Sequence, residues 1–303
     1  MTRPAGGAIA DALRAAAERL RAAGVPTPEL DAEVLLASAL GVSRARVAAE
    51  RRSPLAATDA EAFASLLERR SRREPVAYLT GEREFWSLEL AVDPRVLVPR
   101  PETETVVEEA VRWLRARSAG ARVADVGTGS GAIALAVAAE AAAGVRVVAI
   151  DRSAPALAVA RDNARRLAPR LRARVSFARA DLLAPFASGS LDLVVANPPY
   201  LSPADLASAE PELRFEPLEA LAGGDGDGLG VVRRLLREAR RALREGGAAA
   251  IEIGAGQGAA AVAAATAAGF GEVRVVRDLA GRDRLLLAGG IGETRSGATL
   301  ARG

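Results

Sequence analysis

The sequence predicts an α/β fold: a mostly parallel sheet, preceded by a small N-terminal helical domain and a connecting β-hairpin. Three observations carry that expectation. Short apolar runs of strand character alternate with helix-like runs from Gly120 to Leu287, as in a sheet covered by helices on both faces. Before Arg73 the apolar residues recur at helical spacing. Between the two, β-prone residues, prolines and the turn Asp93-Pro94 change the character of the chain. The 303 residues suffice for one large domain or two. The expected division is a helical recognition domain at 1–75, a β-hairpin linker at 76–102, the α/β domain at 103–288 and a flexible tail at 289–303.

Each element has its own justification. Ile9, Leu13, Ala16 and Leu20 predict a helix ending near Gly24-Val25-Pro26. Thr27-Pro28-Glu29 reads as a cap and first turn leading into Leu30 through Leu40 before Gly41. Thr58-Asp59-Ala60-Glu61 has capping-box spacing ahead of Phe63, Leu66 and Leu67. Tyr78–Gly81, Glu84–Val92 and Val96–Val98 supply the hairpin, and a helix follows from about Thr103 to Arg117. Phe85 and Trp86 sit there, in a chain with 6 Phe and 2 Trp; they either pack a junction or line a substrate pocket. Strands are expected at Val123–Val126, Val145–Ile150, around Val175–Phe177, at Leu191–Ala196, Ala248–Ile253, Val273–Val276 and Arg284–Leu287. The intervening helices are Ala132–Glu140, Ala154–Leu167, Gly230–Arg244 and Ala259–Ala268.

Composition narrows the chemistry. With no Cys and no His, a thiolate nucleophile, an iron–sulfur cluster, an imidazole base, a Ser–His–Asp triad and His-ligated zinc are all excluded. No metal is expected. The net charge of +3 coexists with a pI near 10.3 because every basic residue is arginine. Acidic and basic residues alternate along most of the chain, the pattern of solvated helix faces rather than of a phosphate-binding stripe. No apolar run approaches the roughly 20 residues of a membrane span, and Met1–Ala10 lacks a secretory signal. A cytoplasmic protein is the expectation.

Asp125-Val-Gly127-Thr128-Gly129-Ser130-Gly131 follows a buried strand. Alternate glycines let the backbone turn sharply and let a ligand approach the main chain; a plain strand–helix turn would look the same. Without lysine a Walker-type phosphate loop is excluded. Asp151 closes the next strand, where a carboxylate can accept both ribose hydroxyls of a nucleoside. Asp181, with Leu182, closes the one after, where it can accept from an adenine amino group or merely cap a turn. Three acids around a glycine turn favour a neutral or cationic adenosine ligand, S-adenosyl-L-methionine, over NAD.

Asn197-Pro198-Pro199-Tyr200 is the most specific element. Two prolines after a buried strand stiffen the backbone and remove two N–H donors. An Asn side-chain oxygen beside the Pro198 carbonyl makes two acceptors for the two hydrogens of a planar NH₂, and Tyr200 offers a ring face. Such a grip aims the nitrogen lone pair at a sulfonium methyl, so alignment and fixed dipoles do the catalysis.

On these residues the chain resembles the release-factor glutamine methyltransferases, the PrmC/HemK family, from about Ala77 to Leu287. Tyr78-x-x-Gly81-x-x-Glu84-Phe85-Trp86, Val98-Pro99-Arg100-Pro101-Glu102-Thr103-Glu104, and Glu216-Pro217 through Gly223-Gly224 to Asp227-Gly228-Leu229 carry the likeness. The resemblance implies a class I methyltransferase (Rossmann-like) fold. It also implies methyl transfer from S-adenosyl-L-methionine to the side-chain amide of the glutamine in the Gly-Gly-Gln motif of peptide chain release factors. By position in the motifs, Gly127, Thr128, Gly129, Ser130, Gly131, Asp151, Asp181, Leu182 and Asn197 would hold the cofactor. Asn197, Pro198, Pro199 and Tyr200 would receive the glutamine, and Pro99–Glu104 would border the pocket; its proline turn and first-turn acids equally suit a mere helix start. The implied partner is a release factor, with no membrane and no direct nucleic-acid contact.

Asn-Pro-Pro-Tyr alone also suits an adenine-amino methyltransferase acting on DNA or RNA, which would want a basic groove for a flipped base. A non-catalytic cofactor-binding module is disfavoured because loop and acceptor motif are both intact.

Overall fold

The structure is a computed structural model that describes residues 8–117, 120–278 and 280–289. By its packing the chain forms two units. One comprises Met1–Arg83, Val92–Pro94 and Glu210–Glu216; the other comprises Glu84–Ala91, Arg95–Ala209 and Pro217–Gly303.

The first unit is helical. Helix α1 (Ile9–Ala22) buries Ile9, Leu13, Ala16 and Leu20, as their spacing dictates. Helix α2 (Pro28–Leu40) has proline in its first turn and stops at Gly41, which takes φ 62. Thr27 does not cap its backbone; its hydroxyl donates to Asp31 Oδ1 at 2.8 Å instead. Helix α3 (Arg44–Ala49) is capped by the Ser43 hydroxyl, which accepts from the Arg46 N–H. Helix α4 (Ala57–Ser71) begins one residue before the expected cap at Thr58, on Ala56, without a side-chain cap bond. Helix α5 (Val76–Thr80) corrects the reading of Tyr78–Thr80 as hairpin: Pro75 starts a single turn that Gly81 closes at φ 79. Leu20, Leu35, Leu36, Phe63, Leu67 and Leu79 share one core. Beside it lies a buried ion cluster. Arg70 bonds Asp31 at 2.7 Å and Glu212 at 3.0 Å, and Arg73 clasps Glu212 with two bonds of 2.7 Å. Burial pushes Glu212 up, but hydrogen bonds from Arg73 and Arg70 more than offset it and hold the carboxyl low.

Strands β1 (Glu82–Phe85) and β2 (Leu88–Ala91) pair as a two-stranded hairpin. Its turn places Trp86 and Ser87 at φ 53 and 56, the twist that tight hairpins require. Phe85 is sealed in a core with Val106, Val107 and Leu135, and Trp86 packs against it.

After a 3₁₀ turn at Pro101–Thr103, helix α6 runs over Glu104–Arg115. Strand β3 (Arg122–Val126), helix α7 (Ala132–Glu140), strand β4 (Arg146–Asp151), helix α8 (Ala154–Leu167) and strand β5 (Arg174–Arg179) follow in alternation. Strand β6 (Leu191–Ala196), helices α9 (Pro203–Ala207) and α10 (Gly230–Ala242), strand β7 (Leu243–Glu252), helix α11 (Gly258–Ala267) and strands β8 (Val273–Arg277) and β9 (Asp283–Gly289) complete the unit. Among the described residues the strands β3–β9 form one sheet in the order β5-β4-β3-β6-β7-β9-β8. The first five of these are mutually parallel and β9 runs antiparallel to both neighbours. This is the class I methyltransferase arrangement. Strand β6 is buried at every position, the mark of a parallel strand with a helix layer on each side. Of the tail expected at 289–303, only Gly289 is described, as the end of β9; the rest lies outside the described residues.

Candidate active site

Parallel register builds the site. Val126 of β3 is aligned with Ile150 of β4 and with Ala196 of β6, and Ala196 is aligned with Ile251 of β7. The next residue on each strand therefore stands in one row at the carboxyl end of the sheet: Asp151, Gly127, Asn197 and Glu252. The strand order reverses between β3 and β6, and ligands in open parallel sheets collect at such a point. A cavity opens there, lined by Gly127, Gly129, Asp151, Asp181, Leu182, Asn197 and Pro199, with Val126, Ile150, Val96 and Leu97 as apolar wall.

The glycine turn is only partly exposed to that cavity. Gly127, Gly129 and Gly131 take φ 73, 55 and 87, which β-carbon-bearing residues rarely tolerate. Gly127 and Gly129 line the cavity, whereas Thr128 and Ser130 are buried at 6% and 3% exposure and turn inward. Thr128 donates to Asp125 at 2.6 Å. A β-carbon on Gly131 would press on Leu135 and Ala160 at 3.1 and 3.3 Å, so its place is packing. Asn163 of α8 fastens the turn: its Nδ2 donates to the Ser130 and Ala91 carbonyls and its Oδ1 accepts from the Ala91 N–H. Asn163, wholly buried, carries no motif that singles it out in the sequence.

Asp125 corrects the three-acid picture. It is fully buried, bonded to Thr128 and to the Ala134 N–H, and absent from the cavity lining. Burial raises its pKa to about 7. A carboxyl with a raised native pKa binds its proton more tightly folded than unfolded. Stability is therefore greatest below the ordinary carboxylate range and falls as pH rises toward 7, by roughly 4 kcal/mol for a shift of this size. Asp125→Asn should make that slope shallower without abolishing it, because the buried Glu252 carboxyl is raised to the same range; urea unfolding at pH 5 and pH 8 would read the difference. An unchanged slope would mean that Asp125 does not titrate in this range.

Asp151 remains in the site. Its Oδ2 accepts from the Gly129 N–H and its Oδ1 from the Ser153 N–H, each at 2.9 Å. Desolvation raises its pKa, and those two bonds oppose the rise. Each carboxylate oxygen keeps a further lone pair for a ligand hydroxyl. Asp181 is more exposed and pairs with Arg234 at 2.5 Å. Beside it Leu182 holds φ 48, a strained conformation for a bulky residue that costs about 1–2 kcal/mol. Glu219 pairs with Arg152 across the cavity mouth. A ribose acceptor, an apolar slot and a main-chain wall fit an adenosine bearing a sulfonium; the donor set suits S-adenosyl-L-methionine.

Asn197 and Pro199 line the cavity, while Pro198 and Tyr200 lie just beyond it. Among the described residues no backbone N–H reaches the Pro198 carbonyl. Asn197 Nδ2 donates to Thr103 Oγ1 at 3.0 Å, Thr103 Oγ1 donates to Glu252 Oε2 at 2.6 Å, and the Tyr200 hydroxyl donates to Glu252 Oε1 at 3.2 Å. Burial, then the Glu252 charge, pushes the Tyr200 phenol well up, so it stays a proton donor. Gln257 anchors the other side, donating from Nε2 to the Tyr200 and Asp227 carbonyls. The wall expected from Pro99–Glu104 comes instead from Arg95, Val96 and Leu97; from that segment Thr103 bonds Asn197 from behind the lining. Phe85 and Trp86 belong to the core and not to the cavity. Sequence reasoning passed over Glu252, although a lone carboxylate in Ala248-Ala249-Ala250-Ile251-Glu252-Ile253 was a signal.

Comparison with known proteins places the chain in a family. Residues 11–81 match the family described as PrmC N-terminal domain, and residues 110–210 match methyltransferase small domain. The release factor glutamine methyltransferase of Moorella thermoacetica is 45% identical over 281 residues, covering 92% of this chain and 98% of its own. That of Caulobacter vibrioides is 42% identical over 280 residues, covering 92% and 95%. Among solved structures, the hMettl16 catalytic domain in complex with MAT2A 3'UTR hairpin 6 aligns with a TM-score of 0.52 at 16% identity. That alignment covers 73% of this chain and 81% of the other, and bears on the fold alone. Among the described residues no helix is long and apolar enough to cross a membrane.

Proposed function

The chain belongs to the release factor glutamine methyltransferase family, and on that premise we propose that it methylates a glutamine side-chain amide of peptide chain release factors in the cytoplasm. The glutamine is that of the Gly-Gly-Gln motif. The observation that carries the reading is the row at the sheet end, where Asn197 and the Pro198-Pro199 corner stand beside Gly127 and Asp151.

When bound, S-adenosyl-L-methionine supplies an electrophilic methyl whose bonding pair returns to sulfur as the glutamine nitrogen forms the new N–C bond. Asp151 accepts from the ribose hydroxyls, Gly127 and Gly129 leave the main chain open to the ligand, and Asp181 and Leu182 bound the base. Asn197 Oδ1 and the Pro198 carbonyl each accept one hydrogen of the glutamine NH₂. An amide nitrogen is a poor nucleophile because its lone pair is delocalised; held by both hydrogens, it is turned so that the pair points at the methyl carbon. The two acceptors also face the positive charge that develops on nitrogen. The proton leaves to water afterwards, from a nitrogen that has become acidic, so no His or Cys base is needed. The Tyr200 ring, fixed by its hydroxyl on Glu252, bounds the amide plane.

Incubating the protein with a release factor and labelled cofactor should add one methyl group to the glutamine-bearing peptide, read by mass spectrometry. Label found only on DNA or ribosomal RNA would refute the reading. Asp151→Ala should weaken cofactor binding by roughly 1–3 kcal/mol, read by calorimetric titration; an unchanged isotherm would remove Asp151 from the ribose.

A further inference from the structure

Thr103 and Glu252 lie behind Asn197, outside the cavity lining, at 3% and 1% exposure. Neither lines the cavity, yet Thr103 is bonded to the residue that grips the acceptor, and Glu252 is linked to it through Thr103. A carboxylate can only accept hydrogen bonds, so the single proton of Thr103 goes to Glu252 Oε2. The Thr103 oxygen is then left as an acceptor and takes the Nδ2–H of Asn197. An amide held by its NH₂ end presents its oxygen the opposite way. We propose that Glu252, acting through Thr103, is a positioning residue that fixes which end of the Asn197 amide faces the substrate, and so makes the site select an NH₂ donor over a carboxylate.

This rests on the amide-gripping reading above and deepens it: the choice of glutamine over glutamate is set two hydrogen bonds away from the substrate. With Glu252 ionised, Asn197 Oδ1 and the Pro198 carbonyl are both acceptors and match both hydrogens of the amide. A carboxylate in the same place meets two acceptors and no donor. When Glu252 takes a proton it can donate to Thr103, whose own proton then turns toward Asn197. The Asn197 amide is free to turn end for end and offer Nδ2, which repels the glutamine NH₂.

The groups facing Glu252 are Tyr200, Thr103, Glu102 and Arg284, and Arg284 is itself paired with Asp278 at 3.0 Å. Burial outweighs the bonds from Thr103 and Tyr200 and raises the Glu252 carboxyl to about 7. The change of polarity therefore falls within the pH range of an ordinary assay.

Thr103→Val removes the link and keeps the shape; Thr103→Ser restores the hydroxyl. With a release factor as substrate, Thr103→Val should lower kcat by about 100-fold with little change in the cofactor Kd, and Thr103→Ser should recover most of the loss. Wild-type kcat should climb as pH passes about 7, and Glu252→Gln should lack that limb. Independently of turnover, the Asn197 side-chain NH₂ signals of ¹⁵N-labelled protein, assigned against Asn197→Ala, should shift over the same pH range in the wild type and not in Glu252→Gln. Wild-type kcat in folded Thr103→Val, or Asn197 signals indifferent to pH, would overturn the proposal. A wild type that binds cofactor but never methylates release factor would instead overturn the functional reading, and the NMR titration would still decide the role of Glu252. It also decides it if Thr103→Val does not fold.

Discussion

Asn197→Ala is expected to lower kcat by about 100- to 1,000-fold, the loss seen when one fixed dipole is removed from a developing charge, while the cofactor complex still forms. Two consequences add. The truncation deletes one of the two acceptors that orient the amide, leaving the Pro198 carbonyl alone. It also strips the Thr103 oxygen of the N–H it accepts, while Thr103 and Tyr200 still donate to Glu252. The other residues proposed to hold the cofactor, Gly127, Gly129 and Asp151, line the cavity from the turn after β3 and the end of β4, where the substitution removes no bond. The loss should therefore fall on kcat in single-turnover experiments, with a smaller effect on cofactor affinity. A variant that turns over at the parent rate would show that Asn197 Oδ1 does not hold the reacting nitrogen.

The second large effect is steric. A β-carbon added at Gly223 would lie 1.8 Å from the Gly228 carbonyl oxygen and 2.8 Å from Tyr200 Cα; one at Gly228 would lie 2.2 Å from the Tyr200 carbonyl oxygen. These neighbours are main chain and cannot rotate aside. Gly223 and Leu201 are also bonded to each other through N–H and carbonyl at 3.0 Å, so relief must move the segment carrying Tyr200. Gly223→Ala should thus cost about 1–3 kcal/mol of stability or more and suppress methyl transfer together with it. Gly226→Ala is the control: nothing lies within 4 Å of its added β-carbon, and activity should be unchanged. Thermal unfolding and methylation of release factor measured on the same samples would check both. Wild-type behaviour in Gly223→Ala would mean that the loop does not press on the acceptor corner.

Much of this was legible from periodicity and punctuation. Strand Leu191–Ala196 and helices Ala132–Glu140 and Ala154–Leu167 lie where their apolar patterns placed them, because long buried faces leave little freedom of phase. Tyr78–Thr80 went the other way: β-prone residues form one helical turn because Pro75 and Gly81 bracket it and its apolar side packs into the helical core. The turn and the acceptor motif were visible as local strings. Glu252 and Asn163 were not, and Thr103 only as one residue of a motif, because each acts through a partner distant in sequence that only register or packing brings close: Glu252 is 149 residues from Thr103. Asp125 was misread for the same reason, since a strand-end carboxylate can turn to the ligand or to its own helix, and the pattern of residue types does not distinguish the two.

The inward turn of Thr128 and Ser130 has a consequence for how this wall is read by experiment and by natural variation. What faces the cavity there is peptide, not side chain, so an alanine scan would register Asp151 and Asn197 through lost side-chain contacts, but the turn between them only through backbone strain and packing. Its contribution would emerge only when the peptide itself is altered, by replacing an amide with an ester or a glycine with its D-alanine counterpart. Recognition written in the backbone constrains conformation more tightly than chemistry: what Gly127 and Gly129 must supply is the bend, and few residues can adopt it.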